Sequence, residues 1–267
     1  MLYLISTPIG NLQDISFRAV ETLKKCDYIL CEDTRHSQVL LREYGITAPL
    51  RSFHQFNEKK SEDAIVQDLK NGLSIGVISD AGTPGICDPG ESLVRRCYQE
   101  NIPLTAIPGP CAWTMALSLC PFHKEQVQFL GFLPKKEEER KRALARALLF
   151  QGTTIFYESP QRLLDSLEQI PKERLVCIMR ELTKLHEEHL VGKPQDLISH
   201  YTANPPRGEC VILIEPCSFN YHDISLEHHV EYLVKTFKIS QSDAIKIVAD
   251  IRGIPKRDVY HSIHRNN

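Results

Sequence analysis

Four short segments collect glycine, proline and acidic residues into loops able to grip a small ligand. They read Thr7-Pro8-Ile9-Gly10-Asn11, Glu32-Asp33-Thr34-Arg35, Ser79-Asp80-Ala81-Gly82-Thr83-Pro84-Gly85 and Pro108-Gly109-Pro110. Glycine lets a backbone approach a ligand closely, and proline fixes the loop around it. The loop at 7–11 is not G-x-G-x-x-G, and no G-K-[ST] follows Gly82-Thr83-Pro84-Gly85, so both nucleotide-phosphate signatures are missing. A ligand without a polyphosphate fits these loops better.

Each loop follows a short apolar run that reads as a strand, at 2–6, 27–31, 74–79 and 104–107, with a further strand at 50–53. Amphipathic runs at about 16–26, 35–44, 60–71, 90–100 and 110–119 read as helices between them. Ser16 is placed to cap the first, with Phe17, Val20 and Leu23 on one face. Repeated strand–helix units predict an open parallel sheet, in which the C-terminal strand ends share one edge and ligands bind there.

The rhythm breaks at Pro121-Phe122-His123, which divides a domain at 1–120 from a second α/β block at 121–220. Strands are expected there at 127–130, 153–157, 174–180, about 189–191 and 210–214. Helices are expected at about 136–149, 160–169 and 195–202. Residues 221–267 read as a helical tail, with helices at 226–237, 242–250 and 255–264.

With 267 residues, 42% of them hydrophobic and 25% charged, the composition is that of a globular protein. No apolar run reaches the roughly 18–20 residues of a membrane span. The N-terminus runs straight into a strand, without a signal-peptide pattern, and the nine scattered cysteines include no C-x-x-C pair, so reduced thiols in the cytoplasm are expected. The net charge of −2 leaves room for a local basic surface. The segment His186-Glu187-Glu188-His189 is not H-E-x-x-H, and no metal site is expected. Residues 135–142 mix lysine, arginine and glutamate. They read either as a solvated helix start or as a contact for RNA phosphates through Lys135, Lys136 and Arg140.

Ten segments then occur in a fixed order: LYLISTPIGN at 2–11, EDTRH at 32–36, ISDAGTP at 78–84, DPG at 88–90, PGP at 108–110, GFLP at 131–134, IFYESP at 155–160, RLL at 162–164, RELTK at 180–184 and GE at 208–209. This combination resembles the ribosomal RNA small subunit methyltransferase I family of the tetrapyrrole-methylase superfamily. The resemblance covers nearly the whole chain. It implies two α/β domains with a cleft between them for S-adenosylmethionine, a homodimer, and 2′-O-methylation of a cytidine in the decoding region of 16S rRNA, either free or in the small ribosomal subunit. The tail resembles the family's helix-turn-helix segment. Gln161, Cys111 and Gly85 depart from the family pattern, where His, Ser and a bulkier residue are usual.

The resemblance assigns the cofactor to Pro8, Ile9, Gly10, Asp80, Gly82, Thr83, Pro84, Cys111, Ala112 and Tyr157. A ribose hydroxyl is a poor nucleophile until its proton is removed. Asp33, Glu158 and Glu181, and also Asp80, stand at or near expected strand ends as candidate bases, and the sequence does not choose among them. Asn11, Arg35, Arg162 and Arg180 join the 135–140 cations as candidate RNA contacts. For each arginine the competing expectation is an internal ion pair. Two other readings remain open: methylation of a tetrapyrrole carbon, and a non-catalytic RNA-binding or ribosome-assembly module. The tail, with Lys246, Arg252, Lys256, Arg257 and Arg265, serves either to dock on the subunit or as a packed cap.

Overall fold

A computed structural model describes residues 1–54, 57–218 and 221–264, and Arg265 lies outside them. The chain forms two compact units. The first comprises residues 1–115 with 182–186, and the second 116–181 with 187–267.

In the first unit, β1 (Leu2–Ile5), β2 (Tyr28–Cys31), β3 (Leu50–Ser52), β4 (Ile75–Val77) and β5 (Leu104–Ile107) make one parallel sheet in the order β3-β2-β4-β1-β5. Alternation along the strands supplies both faces. Leu2, Tyr28 and Leu30 pack with Phe53, Leu93 and Cys97 in one core, while Ile5, Ile29 and Cys31 pack with Leu23, Leu41 and Ile107 in another. Burial on both faces is why the inner strands β2 and β4 read as continuous apolar runs, whereas the edge strands β3 and β5 are partly exposed. Each fully buried Leu or Ile contributes about 1.5–3 kcal/mol.

The helices α1 (Phe17–Lys25), α2 (Thr34–Glu43), α3 (Glu58–Lys70), α4 (Glu91–Gln99) and α5 (Ala112–Leu119) connect and follow the strands. Ser16 caps α1 by accepting from the Ala19 N–H at 3.1 Å. The expected apolar face needs one correction. Phe17 is 92% exposed, and Ala19 and Leu23 are the residues buried under the helix. Phe17 is the first helical residue, and its ring extends past the core that the second turn covers.

In the second unit, β6 (Val127–Phe132), β7 (Thr153–Glu158), β8 (Val176–Arg180), β9 (Glu188–Gly192) and β10 (Cys210–Ile214) form a mixed sheet, β6-β7-β10-β8-β9. Only β6 and β7 are parallel; β10 runs antiparallel to both neighbours, and β9 to β8. The helices are α6 (Glu137–Ala147), α7 (Leu163–Glu168), α8 (Pro194–Ala203), and the tail's α9 (Leu226–Phe237), α10 (Gln241–Arg252) and α11 (Lys256–His264).

The tail shares this unit's core: Val230, Leu233, Ile245, Val248 and Val259 join Leu144, Leu148 and Phe156. Arg142 pairs with Asp243 at 3.5 Å, and Arg146 pairs with Asp250. Ser225 and Ser240 cap α9 and α10, and each helix ends in a left-handed residue, Lys238 or Gly253. Arg252 is turned inward onto His229 Nδ1 at 3.2 Å and the Ile224 carbonyl at 2.8 Å. Among the described residues no helix is long and apolar enough to cross a membrane, and no group of three or more His, Cys, Asp or Glu is arranged to hold a metal ion.

Candidate functional site

The sheet order places β4, β1 and β5 side by side, so the loops that leave their C-terminal ends are neighbours. Those loops are stitched together. Thr7 and Gly82 exchange backbone hydrogen bonds, Thr7 N–H to the Gly82 carbonyl at 2.8 Å and Gly82 N–H to the Thr7 carbonyl at 3.1 Å. The Thr7 hydroxyl donates to the Ser79 carbonyl at 3.1 Å. Thr83 Oγ1 donates to the Pro110 carbonyl at 3.1 Å, so Ser6 Oγ must be the donor in its 3.0 Å contact with Thr83.

The glycines make this close packing possible. Gly82 has φ +82°, and a Cβ there would lie 3.3 Å from Ile9 Cγ2 and 3.6 Å from the Pro110 carbonyl oxygen. A Cβ on Gly109 would lie 2.9 Å from that of Ser6. On Gly10 it would run into Lys184, 2.5 Å from its Cγ. The RELTK segment therefore props the first loop. Gly85 sits at φ +79°, a conformation glycine adopts without strain.

The end of β2 joins the same edge. Asp33 caps α2, and its own N–H donates to Asp80 Oδ1 at 3.2 Å. Arg35 grips Asp33 through Nε at 3.3 Å and Nη2 at 3.0 Å, while its backbone N–H donates to Asp33 Oδ1 at 2.8 Å. These bonds hold the Asp33 carboxyl at about 2. A carboxylate held so low is a weak base. The Arg35 side chain is nevertheless 91% exposed.

Beside it is a group that the sequence reading passed over. Burial, together with Asp88 and then Asp80, pushes the Glu32 carboxyl up to about 7. Glu32 and Asp88 both lie in quoted motifs, EDTRH and DPG, but nothing in the spacing says that they approach each other. Glu32, Asp33, Asp80 and Asp88 bring four acidic side chains to this edge, and the negative charge left after Arg35 pairs with Asp33 disfavours a polyphosphate and suits a ligand that carries positive charge.

In the second unit, Glu158 is fully buried and saturated. Its carboxylate accepts from Arg162 at 2.5 Å, from Ser166 Oγ at 2.6 Å and from the Ser159 N–H at 2.9 Å. Arg162 also donates to the Leu133 and Pro134 carbonyls at 3.2 and 3.3 Å, tying ESP-x-RLL to GFLP. Arg180 pairs with Glu188 at 2.6 Å, and Tyr201 donates to the same carboxylate oxygen at 3.0 Å. Arg140 is buried, with Nη1 on the Lys135 carbonyl at 3.3 Å. Arg140, Arg162 and Arg180 thus direct donors to protein acceptors, whereas Asn11, Arg35, Lys135 and Lys136 are exposed, Lys136 alongside Glu139 at 3.2 Å.

Glu181 and Thr183 both have positive φ, +53° and +67°, where the chain leaves the second unit for its short return to the first. Gly208, at φ +72°, lies directly against the Glu181 carboxylate, and any side chain there would overlap it. Tyr157 packs edge-on to Phe129 with ring centres 5.0 Å apart. Cys111 is half-buried just before α5, its carbonyl accepting from Thr114 Oγ1 at 2.8 Å, and Gln161 is exposed.

A family model described as Tetrapyrrole (Corrin/Porphyrin) Methylases matches residues 1–198. The protein named Ribosomal RNA small subunit methyltransferase I from Halalkalibacterium halodurans is 40% identical over 274 residues, 99% of this chain and 94% of that relative. The protein of the same name from Haemophilus influenzae is 39% identical over 268 residues, 97% and 95% of the two chains. The one from Thermotoga maritima is 43% identical over 217 residues, 80% of this chain and 97% of the relative. Among solved structures, a cobalt precorrin-4 methyltransferase aligns with a TM-score of 0.60 at 16% identity, covering 80% of this chain and 94% of its own. A uroporphyrin-III-C-methyltransferase from Thermus thermophilus aligns at 0.57 and 16%, over 79% and 93%. At that identity the likeness is one of fold.

Proposed function

Because this chain belongs to the ribosomal RNA small subunit methyltransferase I family, within the tetrapyrrole methylases, we propose that it moves the methyl group of S-adenosylmethionine onto a cytidine 2′-hydroxyl of 16S rRNA. The observation that carries this reading on the structural side is the stitched edge of the first unit. It combines close-packed backbone, the four acidic side chains Glu32, Asp33, Asp80 and Asp88, and no phosphate-binding signature. Such an edge fits a cofactor that bears a sulfonium and an ammonium group.

The bound cofactor would supply an activated methyl, and the protein would supply alignment. Ile9, Gly10, Gly82, Thr83, Pro84, Cys111 and Ala112 are assigned to it on the first unit, with Pro8 and Asp80 where it borders the acceptor, and Tyr157 by the resemblance. No fixed anion is needed at the sulfur, since its charge disappears in the reaction and a tight hold on it would slow transfer.

The acceptor hydroxyl must lose a proton. Asp33 is held at about 2 by Arg35, and the Glu158 oxygens are occupied by three donors. We assign the base to Glu181, whose carboxylate is given its place by the side-chain-free Gly208. Asp33, Glu158, Arg162 and Arg180 serve as braces for the loops. RNA phosphates are assigned to Asn11, Arg35, Lys135 and Lys136, whose side chains reach solvent.

A homodimer acting in the cytoplasm belongs to the same proposal. Phe17 and Leu185 of the first unit, 92% and 93% exposed, are large apolar groups of the kind a second copy covers. Methyl transfer from labelled cofactor to small subunits lacking the modification, followed by nucleoside analysis, tests the function. Label on a cytidine ribose is the expected result. Label on a base, or none with cofactor bound normally in calorimetry, would replace this reading with another.

A further inference from the structure

The loop after β1, the end of β4 and the first turns of α2 enclose a cavity of about 130 Å3 in the first unit. Pro8, Leu12, Val39 and Ile78 form its apolar walls. A cavity on the order of 150 Å3 holds one benzene ring, so this one matches a single six-membered ring in size.

Its polar lining divides into spent and unspent groups. Thr7 and Ser79 direct their hydroxyls to the carbonyls of Ser79 and of Ala81 and Gly82. Ser37 is 3% exposed, and its hydroxyl has no hydrogen-bond partner beyond the neighbouring Cys31 sulfur. A buried hydroxyl left unmatched is costly, and a ligand group would relieve it. Among the described residues nothing bonds the His36 ring, and Asp80 accepts from the Asp33 N–H through Oδ1, both side chains being exposed at the cavity's mouth.

We propose that this cavity receives the pyrimidine ring of the acceptor nucleotide, turned out of its stack, and that Asp80, His36 and Ser37 select cytosine. The assignment rests on the RNA-methylating reading above. Enzymes that act on a nucleotide commonly extrude it into a pocket sized to the base. Aspartate accepts from the 4-amino group of cytosine, whereas uracil presents a carbonyl at that position and would face a carboxylate. His36 and Ser37 can donate to the ring nitrogen and the 2-carbonyl. EDTRH thereby acquires a role for its histidine beside that of its arginine.

Val39 is 60% exposed and lines the cavity, so Val39→Trp should cost the fold little and block the cavity, with melting temperature checking the first point. The expected result is unchanged cofactor affinity in calorimetry and loss of methyl transfer to small subunits at saturating cofactor. Ser37→Ala, which opens no clash, should lower kcat/KM on the same substrate by about 10-fold. Against subunits carrying uridine at the acceptor position, wild type should discriminate by about 10- to 100-fold, the amount one good base contact supplies, and His36→Ala should narrow that gap. Normal methylation by Val39→Trp would overturn the proposal. So would loss of cofactor binding in that variant, which would make the cavity part of the cofactor site. Wild-type protein that transfers no methyl to RNA would instead remove the reading on which the pocket rests, and the pocket's occupant with it.

Discussion

Replacing Arg162 with alanine would leave Glu158 fully buried without its counter-ion, and the consequence can be sized. The Arg162 guanidinium lies 2.5 Å from Glu158 and bonds two backbone carbonyls, with its side chain 21% exposed. Removing one partner of a buried pair costs about 3–5 kcal/mol, mostly from the stranded charge, and partial exposure favours the lower end. For a unit of about 150 residues, 1 kcal/mol moves Tm by roughly 2–4 °C, so the loss should be on the order of 10 °C. Thermal melting followed by circular dichroism measures it. Adding Glu158→Gln to Arg162→Ala should restore part of the loss, since the stranded charge is then removed. A role in gripping RNA predicts something different: an unchanged Tm and a salt dependence of RNA binding shallower by about one phosphate contact. That outcome would refute the brace.

Glu32 predicts a pH effect on stability. Its carboxyl is raised from 4.5 to about 7, so the folded chain holds a proton that the unfolded chain releases between those values. The stability from this group is full below 4.5 and is lost as pH rises through 7. Glu32→Gln should flatten the Tm profile across that window, and parallel profiles for variant and wild type would contradict the burial argument. Gly208→Ala should displace Glu181 and strain a backbone at φ +72°, lowering kcat on RNA with cofactor affinity retained; calorimetry and single-turnover transfer separate the two. Arg35→Ala should free Asp33 from its clamp and reduce the salt slope of RNA binding by about one, with cofactor affinity near normal. Deleting the tail after 224 would uncover Leu144 and Leu148, so the truncated protein should melt well below wild type in the same assay.

Strands and helices were legible because the apolar period changes cleanly from two to about 3.6, and Ser16 marks a helix start by chemistry that sequence displays. The shared loop edge followed from strand–loop order alone. The fate of each arginine did not. Arg35, Arg140, Arg162 and Arg180 all sit near strand or helix ends beside acidic residues, and whether a guanidinium faces solvent or a carbonyl depends on burial set by distant segments, such as GFLP for Arg162. The base posed the same difficulty: Asp33, Glu158 and Glu181 look alike in sequence, yet one is clamped, one is saturated and one rests on a glycine 27 residues further along. The tail's apolar positions were visible, but only the partner helix α6 shows that they are buried as part of the second unit's core.

The first unit is discontinuous in sequence, and this sets a schedule for its birth on the ribosome. Residues 1–115 can collapse early, but the strip that Gly10 packs against arrives only with residues 182–186. Bacterial and eukaryotic ribosomes add roughly 5–20 residues per second, so the gap of some 66 residues lasts about 3–13 s. Through that interval the loop that follows β1 is without its prop, while the intervening stretch is already being made. Completion of the ligand edge is therefore coupled to synthesis of the first 66 residues of the second unit, and a chain released early would carry a sheet with an unfinished rim.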